Sequence, residues 1–183
     1  MPNGREIFHL NKIETDFIYK EIFTNNCYLK NGITIEPGDI VFDVGANIGL
    51  FSLYAISKCP DCQVYSFEPI KPIFDVLKAN TESHRSQIQI FHSGIADCEK
   101  QVEFVFYPSM SVFSGQFANE EMDTNLLRDI LINQYRSSVP DEKLLNRFID
   151  SFLDSRFDSS SWNCSLNSIS YFMKKARVDK IDL

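Results

Sequence analysis

Two acids, Asp43 and Glu68, stand 25 positions apart, each at the end of an apolar run. The first run, Ile40-Val41-Phe42-Asp43-Val44, passes into Gly45-Ala46-Asn47-Ile48-Gly49. The second, Val64-Tyr65-Ser66-Phe67, ends at Glu68-Pro69. At this spacing the pattern describes a strand, a tight glycine loop, a helix and a parallel strand. Glu68 then sits at the tip of the second strand, where a carboxylate can accept both hydroxyls of an adenosine ribose laid across the strand ends. As a strand-tip acid it is expected to lie outside the core, so that Glu68→Ala spares the fold.

The loop decides between adenosine cofactors. A dinucleotide brings a pyrophosphate that must approach backbone closely, hence the spacing G-x-G-x-x-G. Aligned on Gly45, the second and third glycine positions hold Asn47 and Leu50. S-adenosylmethionine carries no phosphate. It asks for a glycine turn beside its amino-acid part, polar partners for its carboxylate and ammonium, and a ribose acceptor. Gly45 and Gly49 meet the first need, Asp43 and Asn47 the second, and Glu68 the third. Gly94, Ile95 and Ala96 leave the third strand at the same sheet end and are expected to border the adenine. Asp97 either contacts the adenine amine or is an ordinary turn acid.

Methyl transfer from a sulfonium is an in-line displacement, so positioning supplies most of the catalysis, and a base is needed only where the acceptor must lose a proton. No catalytic residue is assigned. His92 ends the third strand near the site, while His9 and His84 lie in looser surroundings; Tyr107, Ser111 and Ser114 open the segment that follows. Cys59-Pro60-Asp61-Cys62 has C-x-x-C spacing, but lacks a second cysteine pair and falls in a helix-to-strand turn, so no metal is expected there.

With 183 residues, 44% of them apolar, the chain can bury one core plus an insertion. Eighteen basic against 25 acidic residues give a net charge of −7 and no basic cluster, which argues against a nucleic-acid groove. No apolar stretch approaches a membrane span, and the first residues lack a signal-peptide core. Together with five scattered cysteines, these features give a cytoplasmic, reduced chain as the expectation.

Four segments are expected. Residues 1–34 form a cap, a short helix or strand pair over one side of the cofactor site. Residues 35–106 form the βαβ core, with strands at 40–44, 63–67 and 88–92, helices at 48–58 and 71–83, and a hairpin-like strand at 102–106. Residues 107–160 carry two amphipathic helices. Asn119 caps the first, which bears Met122, Leu126, Leu127, Ile130 and Leu131; the second bears Leu144, Leu145, Phe148, Ile149, Phe152 and Leu153. They close a small core of their own or dock on the sheet, and a lid that shapes the acceptor pocket is compatible with either. Residues 161–183 return to the core through a strand at 162–166, a helix at 168–176 and the opening of a strand at Ile181 beside the first.

The stretches Gly38 to Ser52, Tyr65-Ser66-Phe67-Glu68-Pro69 and Lys78-Ala79-Asn80 resemble the FkbM-type methyltransferase family. Tyr19 to Phe23, Cys27-Tyr28-Leu29 and Tyr107 to Gly115 extend the resemblance to its assembly-line-associated members. The resemblance implies an α/β, Rossmann-like class I methyltransferase fold, here the N-terminal part of a mostly parallel sheet with a helical insertion. It further implies S-adenosylmethionine as cofactor and O-methylation of a polyketide, peptide or sugar-like hydroxyl, on a small or carrier-bound acceptor. Family members continue past Lys180-Ile181-Asp182-Leu183 into further strands. The expectation is therefore a C-terminally incomplete enzyme that needs a complementing chain or self-associates, with an inactive cofactor-binding module as the alternative.

Overall fold

The computed structural model describes Gly4 and residues 6–183. The chain divides into two compact units, one running to Glu103 and resuming at Trp162–Leu183, the other spanning Phe104–Ser161.

The first unit is built on a three-stranded parallel sheet, β1 (Ile40–Val44), β2 (Gln63–Phe67) and β3 (Ile88–Phe91), in the order β1-β2-β3. Helices α2 (Leu50–Lys58) and α3 (Lys71–Thr81) make the crossovers. The pattern of alternate strand burial sorts the sheet into two faces. Val41, Val64 and Ile88 join Leu53, Ala55 and Ile56 of α2 in one cluster. Tyr65, Phe67 and Phe91 join Phe172 of α6 (Ile169–Ala176) in the other. With helices on both faces of a parallel sheet, this is the Rossmann-like α/β arrangement that the strand spacing implies.

The cap is helix α1 (Lys12–Tyr19), continued by a π-helical turn over Lys20–Thr24. Asn11 starts α1, its Oδ1 accepting from the amides of Ile13 at 2.9 Å and Glu14 at 3.1 Å. Aromatic rings then carry the cap onto α2. Tyr19 stacks on Phe23, Phe23 meets Tyr54 edge-on at 5.2 Å, and Tyr28 lies 4.7 Å from Phe51. The Tyr54 hydroxyl donates to Asn26 Oδ1 at 2.7 Å.

One strand pairs differently from expectation. A second sheet has the order β4-β6-β5, with β4 at Gly94–Ala96, β5 at Lys100–Phe106 and β6 at Ser160–Ser168. β4 pairs in parallel with β6, so β5 does not fold back as a hairpin on its neighbour in sequence; β6, from 54 or more residues later, lies between them. The C-terminal residues run along the second edge of β1, as the sequence suggests. Phe42 donates its amide to Leu183 O, and Asp182 donates to Ile40 O, each at 2.8 Å.

In the second unit, α4 (Glu120–Tyr135) and α5 (Glu142–Leu153) close a core of Tyr107, Met110, Leu127, Leu131, Leu145, Ile149, Leu153 and Phe157. Asn119 caps α4, as read from sequence, through the Met122 amide. No helix among the described residues is long and apolar enough to cross a membrane.

Phe67 is fully buried and contacts the rings of Phe42, Phe91 and Phe172. Truncation to Ala should cost about 3–5 kcal/mol, measured by denaturant unfolding, because the sheet cannot collapse onto so large a void.

Candidate functional site

β1 and β2 end together, and the loop between β1 and α2 is tied across that end. The amides of Gly45 and Ala46 both donate to Phe67 O, at 3.0 and 2.9 Å. Three of the five residues from Gly45 to Gly49 have positive φ: Gly45 (76°), Asn47 (50°) and Gly49 (89°). Such a path is costly for chains with side chains and must be held in place.

The two glycines serve different ends. A Cβ added at Gly45 would meet no atom within 4 Å, so this position opens onto free space. A Cβ at Gly49 would lie 2.7 Å from Leu77 Cδ1 and 3.4 Å from Thr81 Cγ2 of α3. Gly49, expected beside the cofactor, also meets a packing demand, the close approach of α3. Gly94 is similar, since a Cβ there would stand 2.6 Å from Leu166 Cδ2. Ile95 and Ala96 pair with Asn167 and Ser168 in the β4–β6 ladder.

The acids are more deeply set than a strand-tip reading implies. Glu68 is 4% exposed and Asp43 is 8% exposed. One oxygen of Glu68 accepts the Asn47 amide at 3.1 Å, and the other accepts the Ile70 amide at 2.8 Å. The expectation that Glu68 lies outside the core is thereby corrected: its carboxylate joins the glycine loop to the β2–α3 turn. Two amides occupy only part of a carboxylate's acceptor capacity, so lone pairs remain for a ligand. Asp43 accepts from Ser52 Oγ at 2.5 Å, and Ser52 Oγ lies 2.7 Å from Ser66 Oγ. Both serines are fully buried, and neither had been singled out as part of the site in sequence. Their signal was present: Ser52 follows Asp43 by nine residues, on the helix that the loop opens.

Burial raises both acids. Asp43 is pushed up to about 6, with the Ser52 hydroxyl and amide opposing. Glu68 is pushed up to about 7 by burial, with the Ile70 and Asn47 amides opposing and the Asp43 charge adding to the rise. Neither takes part in any of the ion pairs formed among the described residues. The sheet end therefore carries two buried acids satisfied by neutral donors alone.

The other candidates have the following partners. Asn47 Oδ1 accepts the Ile48 amide at 2.8 Å. His92 is exposed and stacks on Phe74. Asp97 is exposed and pairs with Lys100 at 2.9 Å. In the second unit, Tyr107 is buried with its hydroxyl on Asp123 Oδ2 at 3.2 Å, and burial pushes it up to about 12; Ser114 Oγ accepts the Tyr107 amide. Cys59 and Cys62 are both buried in the α2–β2 turn, and burial raises Cys62 to about 11, opposite to an activated thiol. Among the described residues no group of three or more His, Cys, Asp or Glu could hold a metal ion.

Because Asp43 and Glu68 are raised above their unfolded values, folding binds protons between roughly pH 4 and 7. Their stabilising contribution is present at the acid end of that window and lost as pH rises through about 6 and about 7. The ligand-free protein should thus melt higher at pH 5 than at pH 7.5, and Asp43→Asn should flatten the slope. Glu68→Ala should lower stability by about 1–3 kcal/mol in denaturant titration, since it strands two backbone amides.

Comparison with known proteins accords with this geometry. The chain is 36% identical over its whole length to the AMB antimetabolite synthetase AmbE of Pseudomonas aeruginosa, of which it spans 9%. It is 39% identical over 73% of its length to the 31-O-demethyl-FK506 methyltransferase FkbM of Streptomyces tacrolimicus, of which it spans 51%. Methyltransferase sdnD of Sordaria araneosa is 35% identical over 56% of the chain, which spans 40% of it. The chain thus spans about half or less of the length of these curated relatives. No family model matches it. These relationships, to FkbM and other methyltransferases, support the FkbM-type methyltransferase family for this chain.

Proposed function

We propose that this chain is the donor-binding part of an S-adenosylmethionine-dependent O-methyltransferase. The observation that carries the reading is the pair of buried acids, Asp43 and Glu68, beside a glycine that opens onto free space. Buried carboxylates without a cationic partner favour a ligand that brings positive charge. S-adenosylmethionine brings a sulfonium and an ammonium; a dinucleotide brings a doubly charged anion to the same acids. The electrostatics and the missing glycines at Asn47 and Leu50 point the same way.

Asp43, held by Ser52, would face the ammonium, and Gly45 would leave room for the methionine moiety. Asn47 would lie beside the donor's carboxylate. Glu68 would accept the ribose hydroxyls with its remaining lone pairs, and Gly94, Ile95 and Ala96 would border the adenine. When bound, the donor supplies an electrophilic methyl group to an incoming nucleophile. The chain's own residues contribute orientation and exclusion of water, and no base is assigned among the described residues.

The likeness to a 31-O-demethyl-FK506 methyltransferase supports a hydroxyl acceptor, and the family resemblance extends this to a polyketide, peptide or sugar-like hydroxyl on a small or carrier-bound molecule. Because those relatives are longer, acceptor recognition and turnover draw on further chain, covalently continuous or added as a complementing polypeptide.

Titration calorimetry should give measurable affinity for S-adenosylmethionine and little or none for NAD. Tighter binding of NAD would overturn the assignment. Gly45→Val should lower S-adenosylmethionine affinity at least a hundredfold while leaving the far-ultraviolet dichroism unchanged, because a β-branched side chain fills the open space and resists positive φ. Affinity within threefold of wild type would show that the loop does not meet the donor.

A further inference from the structure

The amide of Asn80, on α3, reaches two segments far apart in sequence. Its Nδ2 donates to Ile48 O at 2.8 Å, within the glycine loop, and to Phe8 O at 3.0 Å. Its Oδ1 accepts the Phe8 amide at 2.8 Å. Both amide hydrogens and one oxygen lone pair are thus used. Only one orientation works: turned over, the oxygen would face the carbonyl oxygens of Ile48 and Phe8 together. Asp would lose both donors, and Gln would move them by a methylene.

The neighbours of Asn80 serve the same loop. Leu77 and Thr81, three residues before and one after, press on Gly49, so one face of α3 holds consecutive loop residues by packing and by hydrogen bond. Beyond the loop lies the N-terminal segment from Ile7 to Asn11. Ile7 packs against the cluster of Val41 and Leu53, Phe8 is clasped by Asn80, and Asn11 caps α1. One side chain here pairs with both backbone groups of Phe8, as a neighbouring strand would, and simultaneously fixes a peptide of the strained loop.

We propose that Asn80 is a positioning residue of the donor site, holding the Ile48 peptide and clasping the N-terminal segment at Phe8, so that donor binding and docking of that segment strengthen one another. The inference rests on the donor-binding reading above. It adds a residue and a segment that do not touch the donor. Coupling of this kind is reciprocal: whatever the segment contributes to donor affinity, the donor returns to the segment.

The test is hydrogen–deuterium exchange of the wild-type chain with and without saturating S-adenosylmethionine, read at the Phe8 amide. Donor should slow that exchange at least fivefold. A clasp that is merely structural would protect Phe8 equally in both conditions. Asn80→Asp keeps an acceptor for the Phe8 amide but removes both donors; it should weaken donor binding about tenfold and abolish the donor-dependent protection. Donor binding by wild type with unchanged Phe8 exchange overturns this inference and leaves the donor reading intact. Failure of the wild type to bind donor overturns both.

Discussion

Two carboxylates are taken out of water at the common end of β1 and β2, and among the described residues no cation pairs with them. Burying a carboxylate costs several kcal/mol unless hydrogen bonds or charge compensate, and here compensation comes from amides and hydroxyls alone. Asp43 leans on Ser52 and, through it, on Ser66; Glu68 takes the amides of Asn47 and Ile70. These bonds keep the acids within reach of ionisation near neutral pH, and they also fold the loop. Truncating either acid would remove hydrogen bonds of the loop as well as charge. The site and the local fold are therefore one construction.

The loop's strain has the same source. A path with positive φ at Gly45, Asn47 and Gly49 is held from three sides: by Phe67 O of β2, by Glu68, and by the Leu77-Asn80-Thr81 face of α3. The result is a backbone that presents free space at Gly45 and none at Gly49. Aromatic packing behind the strands, centred on Phe67, keeps the strand ends in register. A chain of aromatic contacts through Tyr19, Phe23 and Tyr54 ties the cap to the helix that the loop begins.

Much of this was legible in sequence because it depends on local pattern. Strands 40–44 and 63–67 stand where apolar runs meet turn residues, and Asn119 was recognisable as a cap by its position before an amphipathic stripe. What depends on distant partners was not. β5 pairs with a strand arriving after the whole second unit, which no local pattern could announce, and the hairpin expectation failed for that reason. Glu68 was placed outside the core as a strand-tip acid; in the fold it is buried and accepts the amides of Asn47 and Ile70. The packing demand at Gly49 was hidden because Leu77 and Thr81 are 28 or more residues away. The FkbM-type motifs marked the loop and strand ends, while the tertiary contacts of their residues came only from the fold.

The central claim is that the sheet end awaits positive charge, and the number of protons exchanged on binding tests it most directly. At pH 6.5 the donor's amino group is almost wholly protonated, since an α-amino group titrates near pH 7.7–8.0. Asp43 and Glu68, at about 6 and about 7, are each partly protonated there. Calorimetric titration with S-adenosylmethionine in two buffers of different ionisation enthalpy should therefore show net proton release, a sizeable fraction of one proton per site, and none in Asp43→Asn, Glu68→Gln. Binding with no proton release, or with uptake, would contradict the account.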